Sequence, residues 1–160
     1  MSAASVETYE PVARTEYLGR LAILPAGGTE LWDDVHHDVQ ESLATIETEI
    51  RRKVPGLRAT TGCTKGDNFF LFSYRTFSTS DSLIDPVVVG VTFTPSKQDV
   101  TVEADASGEQ TGDWISSVDS KTVDNSRDEI MAAARDSASK LRESADAIVI
   151  ALKNPVRKVE

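Results

Sequence analysis

Residues 31–54 read LWDDVHHDVQESLATIETEIRRKV. Apolar side chains fall at Trp32, Val35, Val39, Leu43, Ile46, Ile50 and Val54, at spacings of 3, 4, 4, 3, 4 and 4. Such spacing draws one stripe along a helix of 3.6 residues per turn and leaves the remaining faces to charged groups. Thr29 stands where a cap belongs, with Glu30, Asp33 and Asp34 in the first turn and Arg51, Arg52 and Lys53 in the last. Both ends therefore suit the helix dipole. Pro55-Gly56 stops the helix.

A second stripe runs through Ile130, Ala134, Ala138, Leu141, Ala145, Ile148 and Leu152. It opens with Ser126 and Glu129 at capping-box spacing and closes at Asn154-Pro155. Between the two helices the period changes to two. Leu57–Thr64 alternates Leu57, Ala59, Thr61 and Cys63 against Arg58, Thr60 and Thr64, and Lys65-Gly66-Asp67 is a turn. Asn68–Phe77 holds four of the five phenylalanines, which makes it the strongest strand signal in the chain. Val87–Thr94 sets Val87, Val89, Val91 and Phe93 on one side. Asp99–Ala106 sets Val100, Val102, Ala104 and Ala106 inward against Thr101, Glu103 and Asp105, the alternation of a sheet with one wet face. A short strand follows at Trp114–Val118, and Tyr17–Leu24 reads as an earlier one.

The expected fold is α+β: an antiparallel sheet of about five strands packed against two long amphipathic helices, in the order (β)-α-β-β-β-β-β-α. Residues 16–155 form one domain between a flexible tail at 1–15 and a second tail at 156–160. One hundred and sixty residues suffice for a single core of this kind. On the Asn68–Phe77 strand, Phe70, Phe72 and Tyr74 point one way while Phe69, Leu71 and Phe77 point the other. Both faces being apolar, something should cover each of them: the N-terminal segment, a cavity or a second copy.

The chain carries a formal net charge of −9, which disfavours nucleic acid and anionic membrane, since both reward Lys and Arg. It leaves a basic partner open. The single cysteine, Cys63, excludes an internal disulfide. The opening MSAASVETYEPVART has neither the basic start nor the apolar core of a secretory signal. The apolar runs at Pro86–Val91 and Ala147–Leu152 are too short to span a bilayer. These readings set the cytoplasm as the expected location.

No motif announces chemistry. Asp33, His37 and Glu41 share one helix face at i, i+4 and i+8 and are the best metal-ligand candidates, yet HExxH is missing and no matching cluster lies elsewhere in the sequence. They read as a solvated face with local charge pairs. Ala26-Gly27-Gly28-Thr29 lacks the lysine of a phosphate loop and the three glycines of a dinucleotide site. Cys63 falls in period with Leu57 and Ala59, as a small buried hydrophobe does. No G-x-S-x-G elbow occurs. The carboxylates of Glu103–Glu109 alternate outward and read as solubilising groups.

The expected function is therefore a non-enzymatic, acidic protein-interaction module with no cofactor. Its partner is another protein or a second copy of itself. The candidate interface is Phe69, Phe70, Leu71, Phe72, Tyr74, Phe77, Val89 and Val91. In element order, counting the strand at Tyr17–Leu24 and the final helix, the chain resembles the helix-grip architecture. That resemblance implies an alternative, a carrier of a small apolar ligand, with Phe70, Phe72, Tyr74, Val89, Val91 and the inward face of the last helix lining a pocket.

Overall fold

The computed structural model describes residues 29–65, 71–96 and 98–155. Helix α1 (Thr29–Lys53) leads into strands β1 (Arg58–Lys65), β2 (Leu71–Ser78), β3 (Val87–Pro95), β4 (Asp99–Gly108) and β5 (Trp114–Asp124). Helix α2 (Arg127–Lys140), a 3-10 turn (Leu141–Ser144) and helix α3 (Ala145–Lys153) complete the order. The five strands form one antiparallel sheet in sequence order, β1-β2-β3-β4-β5. The α+β expectation holds. The strand read at Tyr17–Leu24, both tails and the Lys65–Asp67 turn beyond residue 65 lie outside the described residues.

All seven apolar positions of the α1 stripe and all seven of the second stripe are buried, none more than 3% exposed. They close on the inner face of the sheet, where Leu71, Phe77, Val87, Val89, Val91, Phe93, Val100, Val102, Ala104 and Ala106 are buried as well. Helix α1 packs on β2 and β3, α2 packs on β4 and β5, and the two helices pack on each other. Trp32 meets Phe93 with ring centroids 5.9 Å apart, which ties the start of α1 to the end of β3. The hydrophobic effect acting on this single two-layer core is what orders the helices over one face.

Two elements differ from the sequence reading. Strand β5 runs to Asp124 rather than ending at Val118. Its second half is polar because Asp119 and Lys121 point inward and are met by α2. Ser137 Oγ donates to Asp119 Oδ2 at 2.9 Å, and Lys121 pairs with both Asp119 and Asp136. Charged residues on the inner face hid the strand. The C-terminal stripe is also two helices rather than one. At Leu141–Ser144 the backbone tightens into a 3-10 turn, where residues i and i+3 eclipse, so Leu141 and Ser144 both face inward. Ser144 Oγ then donates to Ser116 Oγ of β5 at 2.8 Å.

Candidate functional site

The parity of β2 separates the predicted interface into two groups. Leu71 and Phe77 lie on the inner face with Val89 and Val91, and all four are core. Phe72 and Tyr74 lie on the outer face and are half-buried. Phe69 and Phe70 lie outside the described residues. A pocket lined jointly by Phe72, Tyr74, Val89, Val91 and the last helix is therefore not formed. In register, Val89 faces Arg75 and Val91 faces Ser73, whereas Tyr74 faces Gly90 and Phe72 faces Thr92. The sheet itself stands between the two sets.

The inner face of β2 has its own task. Ser73 is fully buried, with His36 Nδ1 2.8 Å from its Oγ and Gln40 Nε2 donating to it at 3.1 Å. Arg75 donates to Gln40 Oε1 at 2.9 Å and to Glu47 Oε1 at 2.7 Å. Arg51 holds the other Glu47 oxygen at 2.6 Å. Burial opposes the charge on Glu47, but these two guanidinium hydrogen bonds outweigh it and hold the carboxyl below its ordinary range. The row fastens α1 to β2, and a buried Ser73 offers no accessible nucleophile.

Part of the acidic face of α1 is engaged by the protein's own cations. Asp34 meets Arg127 at 2.6 Å and Asp38 meets Arg135 at 2.8 Å, both across to α2. Of the candidate metal ligands, His37 Nε2 lies 3.3 Å from Glu41, with both side chains about 70% exposed (72% and 69%), and Asp33 is exposed on the same helix. No group of three or more His, Cys, Asp or Glu with metal-holding geometry occurs among the described residues. None of their helices is long and apolar enough to cross a membrane.

One open pocket of about 200 Å³ lies where the β3 and β4 ends meet α3, lined in part by Val87, Gly108, Ile115 and Ala151. That is below the ~300 Å³ at which small-molecule sites usually begin. The carboxylate at its wall, Asp85, already accepts from Gln110 N at 2.9 Å and from Thr111 N and Oγ1 at 3.2 and 3.1 Å. It pins the 109–113 loop.

The outer sheet face is different in kind. Phe72 and Tyr74 stack with centroids 4.8 Å apart and an interplanar angle of 28°. They lean across two glycines: Tyr74 covers Gly62 on β1, and a Cβ on Gly90 would stand 2.8 Å from the Phe72 ring. At Gly90 a Cβ would also meet the Ser73 carbonyl oxygen at 2.6 Å, so glycine is needed there, whereas at Gly62 it would meet the Tyr74 side chain. Straight rows cross the strands. Phe72, Thr92, Glu103 and Ser120 form one, Tyr74, Gly90 and Asp105 the next, and Thr76, Val88, Ser107 and Trp114 a third. Trp114 is 68% exposed at the β5 edge.

Asp105 is the anomaly on this face. It is half-buried, and no hydrogen bond reaches its carboxylate from a described residue. Desolvation, with Glu103 two residues away adding like charge, pushes its pKa from 3.8 up to about 6. Sequence reasoning took Glu103 and Asp105 for solubilising groups. The alternation that turns them outward was legible, but their position beside an aromatic pair depends on cross-strand register. Comparison of the chain with protein-family models, with curated proteins and with solved structures returned no match.

Proposed function

We propose that this protein is a non-catalytic interaction module that receives a protein partner on the outer face of its sheet. The observation that carries the reading is the stacked Phe72–Tyr74 pair on a face that no described helix covers. Aromatic side chains with a large apolar area and few rotamers are the usual anchors of protein interfaces. Exposed Trp114 extends the same face to its edge. Two further facts favour this face over the others. The core-facing residues Leu71, Phe77, Val89 and Val91 are committed to folding. On α1, Asp34, Asp38 and Glu47 are committed to Arg127, to Arg135, and to Arg75 and Arg51.

The test is a photo-crosslinking amino acid placed at Thr92 on the outer face or at exposed Glu129 on α2 in the full chain. The expected result is a discrete adduct from the Thr92 position in the producing cell, lost when Phe72 and Tyr74 are both changed to Ser. Adducts of equal yield from both positions, or none from Thr92, would dismiss the reading.

A further inference from the structure

We infer that the outer face selects a basic partner: an extended polypeptide segment carrying Arg or Lys at alternate positions, recognised by Glu103 and Asp105 beside the Phe72–Tyr74 rings. This rests on the interaction reading above and names the chemistry of what is bound.

Three observations meet here. The first is charge. Glu103 and Asp105 lie on the same face of β4, and among the described residues the basic side chain sharing that face is Arg58, at the start of β1. Arg58 is four residues along the strand from Gly62 and three strands from β4, so it neutralises neither carboxylate. A second copy docked face to face would bring like charge against like charge, whereas a cationic segment is complementary. The second is aromatic placement. The Phe72 ring lies over Gly90, and Gly90 is the register partner of Asp105. A group placed over Gly90 would have the Asp105 carboxylate on one side and the Phe72 ring on the other, so a guanidinium or ammonium there would meet both charge and aromatic surface. The third is spacing. Glu103 and Asp105 are two residues apart on one strand, hence about 7 Å apart. Alternate residues of an extended partner chain have the same repeat. Glu103 is exposed and Phe72, Thr92 and Asp105 are half-buried along neighbouring strands, which suits a chain lying across them. The raised pKa of Asp105 agrees, since an unmet, partly desolvated carboxylate ionises more readily once a cation sits beside it.

The experiment is an amide-resolved NMR titration of the full chain with capped hexapeptides Thr-X-Thr-X-Thr-Val, where X is Arg, Lys, Gln or Glu. The expected result is that the Arg and Lys peptides shift the amides of Phe72–Tyr74, Gly90 and Glu103–Asp105, while the Gln and Glu peptides do not. Binding should weaken about tenfold in D105N or E103Q, the loss expected when one charge-assisted contact goes. It should also weaken as pH falls from 7.5 to 5, as Asp105 takes up its proton. Equal binding by the Gln peptide at this face would overturn the selection for charge and leave the interface reading standing. Shifts on dilution without peptide would identify a second copy as the occupant and overturn the proposal. No shift with any peptide, alongside a Thr92 crosslink, would overturn this inference alone. A missing crosslink would remove the reading beneath it.

Discussion

Changing Asp105 to Asn should make the protein more stable at neutral pH. In the folded state this carboxyl has its pKa pushed from 3.8 to about 6 by desolvation and by Glu103. A shift of about two units would be worth about 3 kcal/mol if the group were fully enclosed. Asp105 is only half-buried, and solvent screening reduces the figure to about 1 kcal/mol. The sign follows from proton linkage. Between pH 4 and 6 the folded chain holds a proton here that the unfolded chain has released, so the residue's contribution to stability falls as pH rises through that window and stays low above it. Asn carries no such charge. Urea unfolding of wild type and D105N at intervals from pH 4 to 8 should show a gain of about 1 kcal/mol for the variant above pH 6.5, shrinking toward pH 4. A carboxyl titration followed by NMR should place the Asp105 midpoint near 6. A variant no more stable at pH 7.5 than wild type, or a gain independent of pH, would refute the reasoning.

Acid should act in the opposite sense through the paired carboxylates. The Asp136 carboxyl is held down chiefly by its hydrogen bond from Lys121; for Glu47 and Asp119 burial opposes ionisation but is outweighed by Arg51 and Arg75, and by Lys121 and Ser137. Their contribution is present above the ordinary carboxylate range and is lost as pH falls through the depressed values, so wild-type unfolding should steepen below about pH 4 by denaturant melts. Phe77→Ala empties a fully buried inner-face site and should cost about 3–5 kcal/mol in the same assay. Gly90→Ala sets a Cβ 2.6 Å from the Ser73 carbonyl oxygen, a backbone atom that cannot swing aside, and should cost about 1–3 kcal/mol. Gly62→Ala sets a Cβ whose nearest neighbours are all atoms of the Tyr74 side chain, so it should cost under about 1 kcal/mol while altering the Phe72–Tyr74 ring shifts in NMR spectra.

The helices and the core were legible because periodicity reports burial directly. Each position of both stripes is buried, and Val100, Val102, Ala104 and Ala106 alternate as read. The full length of β5 was not legible, because Asp119 and Lys121 face inward against charged partners on α2 that sequence spacing does not reveal. The break at Leu141–Ser144 carries no Pro or Gly, so no local signal marked it. At the candidate site, the two-sided apolar character of β2 was visible, and so was the split of Phe72 and Tyr74 from Leu71 and Phe77. The error lay in combining Phe72 and Tyr74 with Val89 and Val91, which requires the register of β2 on β3 to place on opposite faces. The same register brings Asp105 alongside Gly90 and the Phe72 ring, a relation between residues 15 and 33 positions apart in the chain that no local pattern encodes.

The central claim is that the outer face of the sheet stands open to a partner. Paramagnetic relaxation by a water-soluble gadolinium chelate, read on the side-chain protons of the free full chain, measures this residue by residue. The account predicts strong relaxation at Thr92, Thr101 and the Phe72 ring and little at Val91 and Ala104 on the inner face. Outer-face protons shielded as completely as those of Val91 would contradict it.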